Sequence, residues 1–129
     1  MLTDDDEVLL RQIHPSFVQA GEPSSQPFAP TPKDDNKLSV DRGTMTTPAA
    51  SHALFTGNGH ASVAVYGLSV GEFGEENLPC HSDPLAATAT EAANPAHAYA
   101  DYAAHVPAQQ KNRAKRLKRH ALARGQLHP

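Results

Sequence analysis

The stretch LLRQIHPSFVQAGEPSSQPFAPTPKDDNKLSV, residues 9–40, is the most informative part of the chain for its fold, because it includes most of two apolar segments that a proline-rich connection separates. The first segment, EVLLRQIH at residues 7–14, has the length of a strand. Pro15 should end it, since proline lacks an N–H and biases the preceding residue to an extended conformation. The second segment is the short run at residues 37–40. The pattern predicts two sheet strands joined by a long loop.

The acidic start leaves a second interpretation of the first segment open. Asp4, Asp5 and Asp6 would suit the N-terminus of an α-helix over DDDEVLLRQI. A strand is favoured, because the segment reaches a proline after eight residues. Residues 1–6 are then expected to be a flexible acidic start.

Two helices are predicted from signals at their ends. A Thr-Pro pair supplies an N-cap and a first helical residue for a short helix over residues 47–56. A longer helix over residues 107–124 is rich in Lys and Arg and stops at a glycine. It is expected to dock on a domain of residues 7–106 or to extend from it, with residues 125–129 as a tail.

The remaining strands are predicted from alternation and apolar runs. Residues 61–70, ASVAVYGLSV, are apolar on both faces, which indicates a central strand covered on both sides. The strands are too closely spaced for regular βαβ units, so we expect an α+β fold with a mainly antiparallel or mixed sheet. A turn or loop is predicted for residues 71–77, a brief edge strand for 78–81 and a last strand for 96–102.

Composition limits the classes of protein that fit. Leu, Ile, Val and Phe make up only 23 of 129 residues, which predicts one domain with a thinly packed core. The single cysteine, Cys80, excludes an internal disulfide and a cysteine-based zinc cluster. The acidic start differs from a secretory signal, and no apolar run reaches the length of a membrane span. We therefore expect a cytoplasmic protein with no membrane association.

Charge is divided unevenly along the chain. Residues 1–106 carry 14 acids against 4 Lys and Arg, whereas residues 107–129 carry 7 Lys and Arg and no acid. The C-terminal helix either contacts nucleic-acid phosphates or docks on the acidic body, and its narrow apolar stripe favours docking. The candidate phosphate contacts are Lys111, Arg113, Lys115, Arg116, Lys118 and Arg119.

Histidine and cysteine spacing predicts no metal site. The eight histidines show no HxH, HxxxH or HExxH pairing. The run Cys80-His81-Ser82-Asp83 is a poor ligand set, since neighbours on a strand point to opposite faces. Arg11 and His14 are better site candidates, because they flank the end of a strand, where binding residues often lie.

Four short motifs stand out in the first third of the chain: RQIHPSF at residues 11–17, SSQPF at 24–28, PKD at 32–34 and LSV at 38–40. They resemble a group of small uncharacterised bacterial proteins. The resemblance continues more weakly through residues 61–72 and into the basic helix. It implies a small bacterial protein and no particular activity.

Arg11, Ser39 and Glu72 follow one another in this order, each on or just after a predicted strand. The order resembles that of ADP-ribosyltransferase-like folds. In that family the Arg meets the cofactor phosphates, the Ser supports the site and the Glu assists the ribose chemistry. The flanking motifs differ, with Leu-Ser-Val in place of Ser-Thr-Ser and Glu-Phe-Gly-Glu in place of Glu-x-Glu. With His14, these residues form the candidate catalytic set.

Three functions are open at this point. We favour a non-enzymatic binding or accessory domain with a protein partner and no cofactor. The first alternative, implied by the resemblance, is a small NAD-using transferase. The second is a nucleic-acid-binding protein acting through the basic helix. Arg11 and Ser39 are expected to lie near each other, because paired strands would carry them.

Overall fold

Five strands form one antiparallel sheet in the computed structural model, which describes residues 1–129 without a gap. The α+β class with a C-terminal helix is confirmed. The five strands, in the spatial order β5-β1-β4-β7-β6, are β1 (Val8–Ile13), β4 (Lys37–Arg42), β5 (Ala64–Ser69), β6 (Cys80–Ser82) and β7 (His97–Asp101). The short strands β2 (Val18–Gln19) and β3 (Glu22–Pro23) pair as a separate hairpin. The helices are α1 (Pro48–Gly57), α2 (Val70–Glu75) and α3 (Pro107–Arg124).

The opening stretch forms two neighbouring strands, β1 and β4, as predicted. They pair at only two positions, Leu9 opposite Arg42 and Leu10 opposite Asp41. The connection between them contains the β2–β3 hairpin and three single 3₁₀ turns, each with a proline in its first two positions. Because proline fixes φ near the helical value, these turns are locally determined. The turns are Pro15–Phe17, Gln26–Phe28 and Pro32–Asp34.

Strand β5 is covered on both faces but lies at the end of the five-strand order. All six of its residues are buried, with α3 on one face and α1 on the other. The prediction of a central strand is wrong, because the C-terminal tail covers the outer edge of β5. Leu127 donates its N–H to the Val65 carbonyl, and Val65 donates to the His128 carbonyl. The tail therefore gives an edge strand the burial of a central one.

Residues 71–77, predicted as a turn or loop, lie largely in helix α2. The Ser69 side chain accepts from the Glu72 N–H, and the Glu72 carboxylate accepts from the Ser69 N–H. This reciprocal capping box starts the helix. The two glycines of α2 disguise it, since glycine is a poor helix former. The short helix predicted at residues 47–56 is present as α1, with the Thr47 side chain as its N-cap.

Helix α3 is docked on the sheet. Its apolar stripe of Ala114, Leu117 and Ala121 is buried within an 18-residue core that also includes Phe28 and Tyr102. Burial of this stripe anchors a helix whose other residues are mostly polar. No helix of the protein combines the length and apolar composition needed to cross a membrane.

The acidic start, expected to be flexible, is hydrogen-bonded to two elements. Leu2 donates its N–H to the Cys80 carbonyl of β6, and the Asp5 carbonyl accepts from Gly71 of α2. These bonds give residues 1–6 a defined path along the sheet.

Candidate functional site

The two faces of the sheet differ in chemistry. Strand side chains alternate between faces, so Leu9 and Ile13 join the core under α3, whereas Leu10 and Gln12 lie on the opposite face. We call this opposite face, which α1 partly covers, the polar face. The register of β4 with β7 adds Ser39, Asp41, His97 and Tyr99 to it.

A hydrogen-bonded network crosses the polar face. Asp41 accepts from the Ser51 hydroxyl at 2.6 Å and from the Asn94 amide at 2.8 Å. The Gln12 amide donates to Ser51 at 2.9 Å and accepts from the Ser62 hydroxyl at 2.8 Å. The network ties β1, β4 and α1 to two loops. The sequence does not predict this network, because its members lie in separate segments with no local signature.

Arg11 fills the gap where β1 and β4 separate. Its Nε donates to the Pro27 carbonyl at 2.7 Å, and its Nη1 donates to the Ser39 carbonyl at 3.0 Å. The structure therefore brings Arg11 and Ser39 together, through the Ser39 backbone. The Ser39 side chain is exposed on the polar face, and its hydroxyl makes no hydrogen bond within the protein.

The charge of Arg11 has no carboxylate partner. It forms no salt bridge, and both of its acceptors are neutral carbonyls. Burial lowers the pKa of Arg11, with more distant Asp34 and Tyr102 acting in the opposite direction, but an arginine stays protonated at neutral pH. Nη2 makes no hydrogen bond, and the protein has no buried side-chain nitrogen without a partner. Nη2 is therefore not fully buried, and its donors have no partner within the protein.

Two adjoining clefts meet at Arg11, and we call them the Arg11 clefts. The first, about 310 Å³, lies between the polar face, α1 and the loop joining β6 to β7. The second, about 400 Å³, lies at the end of β1 beside Pro27. Arg11, Gln12, Phe55 and His60 line both. The rings of Phe55 and His60 stack with centroids 4.8 Å apart, so the shared wall presents an aromatic surface.

His14 lines the second cleft together with Arg11. Its Nδ1 accepts from the Ser16 N–H at 3.0 Å, which caps the Pro15–Phe17 turn. Ser39 lines the first cleft. Arg11 thus links the other two predicted site residues, which occupy different clefts.

Glu72, the fourth predicted site residue, lines neither Arg11 cleft. It accepts from Arg124 at 2.6 Å and lies 3.3 Å from His120, both on α3. Burial opposes its ionisation, but hydrogen bonds from Arg124 and the Ser69 N–H outweigh this and lower the Glu72 pKa. Because the segment after β5 is a helix, Glu72 lies in the contact between α2 and α3, away from the other three candidate residues.

Cys80 is buried, and burial raises the pKa of its thiol to about 12. Its neighbour His81 stacks on Tyr99 at 5.2 Å. No group of three or more His, Cys, Asp or Glu side chains is placed to hold a metal ion. The thiol therefore packs as a small apolar group within the core.

The cations of α3 fall into two sets. Arg113 donates to the Glu76 carbonyl at 2.7 Å, and Arg116 forms a salt bridge of 2.7 Å with the Glu76 carboxylate. Of the six predicted phosphate contacts, these two are engaged within the protein. The other four form no salt bridge: Lys111, Lys115, Lys118 and Arg119.

Comparison with known proteins assigns no family to the chain. No protein-family model matches it, and neither a curated protein nor a solved structure matches it significantly. The Arg11 clefts and the surface of α3 are therefore the basis for inferring its function.

Proposed function

We propose that this protein is a binding domain for a small organic anion, anchored at Arg11 through a phosphate or carboxylate group. One observation carries the proposal. A charged guanidinium is held between two neutral carbonyls, without a carboxylate partner, where two clefts meet.

An anion would complete the interactions of this guanidinium. Removing a charge from water costs free energy unless the charge is paired. The carbonyls of Pro27 and Ser39 orient the side chain but do not neutralise it. Its remaining donors suit the paired oxygens of a phosphate or carboxylate, which arginine binds with two parallel hydrogen bonds.

The size and walls of the Arg11 clefts suit an organic body of one or two rings. Each cleft falls near the lower end of the volume range of small-molecule sites, roughly 300–1,000 Å³. Phe55 and His60 supply an aromatic wall, on which a flat ring would pack. Gln12 and Asn94 add amide groups, which fix orientation by hydrogen bonding.

Binding without turnover is favoured over the NAD-using alternative. Arg11 could serve either function as a phosphate contact. The Glu that the transferase chemistry needs is engaged by Arg124 and His120, away from the clefts. NAD is therefore one ligand to titrate, and an accessory role beside another protein fits a domain that binds without catalysis.

Calorimetric titration with inorganic phosphate, AMP, citrate and NAD tests the proposal. We expect at least one of these anions to bind. Arg11→Gln should weaken that binding roughly 10- to 100-fold, because it removes a charge-assisted pair. Arg116→Gln, which removes a cation of α3 that is paired with Glu76, is the matched control and should change affinity less than about 2-fold. Equal effects of the two variants, or no binding of any anion, would refute the proposal.

A further inference from the structure

We propose a second, independent binding surface: the free flank of α3, made of Lys111, Lys115, Lys118 and Arg119, contacts the phosphodiester backbone of a nucleic acid. The surface does not depend on the Arg11 clefts. It differs from the charge run seen in the sequence, because it includes only cations that the fold leaves unneutralised.

Helical geometry separates the cations of α3. At 3.6 residues per turn, the four free cations fall within an arc of about 100°. Ala114, Leu117 and Ala121 occupy the buried side of the helix. The remaining cationic side chains, Arg113, Arg116, His120 and Arg124, lie on the other flank, beside α2.

The acids that form salt bridges with α3 lie beside only one flank. Glu72 pairs with Arg124 and His120, and Glu76 pairs with Arg116. The acids of residues 1–106 therefore offset the charge of α3 when the whole sequence is summed, but they form no salt bridge with the cations of the free flank. Like charges four residues apart, such as those of Lys111 and Lys115, repel along a helix, and a bound anionic polymer would relieve this repulsion.

The spacing of the free flank suits a phosphate backbone. Lys111 and Arg119 are separated by about 12 Å along the helix axis at 1.5 Å per residue. Phosphates of one strand recur about every 3.4 Å along the duplex axis and wind around it, so a flank of this length faces a short run of them. A membrane surface fits less well, because Leu122 packs against the core and the flank presents no large apolar side chain.

The test measures anisotropy of labelled 20-base-pair DNA and RNA duplexes of arbitrary sequence at 25–200 mM salt, with the full-length protein. We expect binding that weakens with salt, with a log–log slope approaching about −3.6 for four contacts on DNA. The double variant Lys115→Gln/Arg119→Gln should reduce the slope by about 1.8. The control Arg113→Gln/Arg116→Gln removes two cations from the neutralised flank and should change the slope by less than half as much.

Circular dichroism checks that each variant is folded. If the control double variant unfolds, the two single variants Lys115→Gln and Arg116→Gln allow the same comparison. Arg11→Gln should leave duplex binding unchanged, which separates this surface from the Arg11 clefts. The proposal would be overturned by an absence of duplex binding at 25 mM salt, or by an equal reduction of the salt slope in the variants of both flanks. Binding of polyglutamate or anionic lipid vesicles, but not of a duplex, would also overturn it.

Discussion

At the scale of single residues, one turn positions the Arg11 guanidinium. Two consecutive carbonyls of the Gln26–Phe28 turn accept side-chain hydrogen bonds. The Pro27 carbonyl accepts from Arg11, and the Phe28 carbonyl accepts from the Tyr102 hydroxyl. Phe28 and Tyr102 are fully buried. The turn is therefore attached to the core at the position where it orients Arg11.

Tyr102→Phe should lower the free energy of unfolding by about 1–3 kcal/mol, because the Phe28 carbonyl would lose its donor in a buried environment. Denaturant unfolding measures the loss. Tyr99→Phe is the control, since the Tyr99 hydroxyl makes no hydrogen bond in the protein and its removal should change stability by less than about 0.5 kcal/mol. Equal stability of Tyr102→Phe and the parent protein would show that the turn is held by other contacts.

At the scale of elements, Glu7 joins the start of β1 to the end of β4. Its carboxylate accepts two hydrogen bonds from Arg42, at 2.8 and 3.0 Å, and one from Thr44 at 2.9 Å. The Glu7 side chain is 2% exposed and the Arg42 side chain 24% exposed, so the carboxylate is shielded from solvent and the guanidinium only in part. It fixes the two strands where they pair, before they separate around Arg11.

Glu7→Gln should reduce the free energy of unfolding by about 2–4 kcal/mol, because the partly buried Arg42 charge would lose its partner and Thr44 its charged acceptor. Asp35→Asn breaks the exposed Lys37–Asp35 pair and should change stability by no more than about 0.5 kcal/mol. Chemical denaturation of both variants gives the comparison. A Glu7→Gln loss as small as that of Asp35→Asn would mean that the pair does not hold β1 to β4.

Most elements with local signals, though not α2, were predicted well from the sequence. Helix α3 follows from its composition and its terminal glycine, and α1 follows from its N-cap. The edge position of β5 could not be predicted, because the tail that covers it comes from the far end of the chain. Helix α2 was missed although its Ser-x-x-Glu capping box is visible in the sequence.

The candidate site was predicted only in part, because local sequence patterns do not encode contacts between distant segments. Arg11 and Ser39 lie on strands whose pairing could be inferred, and the structure places them in contact. Asp41 and Asn94 meet across 53 residues of chain, which no local pattern encodes. Glu72 follows Arg11 and Ser39 in the order that the family resemblance requires. Its partners on α3 lie about 50 residues further along the chain, so its true surroundings are not visible in the local sequence.

At the scale of the whole molecule, carboxylates with lowered pKa values hold several elements together. Hydrogen bonds from Arg42 lower the pKa of Glu7, and those from Arg116 lower the pKa of Glu76. For Glu72, burial is the largest influence and raises the pKa, but Arg124, the Ser69 N–H and His120 together outweigh it. Each is more acidic in the folded state than the ordinary glutamate value of 4.5.

Stability should therefore fall in acid. Between the folded and ordinary pKa values the unfolded chain binds more protons than the folded one, so the free energy of unfolding decreases as pH falls. We expect little change from these groups above about pH 6 and a progressive loss from about pH 5 downward. Denaturant unfolding between pH 7 and pH 3 measures the profile, and Glu7→Gln should flatten it. A parent profile that is level or rises toward pH 3 would contradict the role of these carboxylates.

A phosphate titration followed by ¹⁵N NMR at the Arg11 side chain tests most directly whether Arg11 binds an anion. The Arg11 Nε–H resonance and the backbone amides of Gln12 and Ser39 should shift together and saturate, with the same dissociation constant. Shifts confined to α3, or an Arg11 Nε–H resonance that does not respond to phosphate, AMP, citrate or NAD, would contradict an anion site at Arg11.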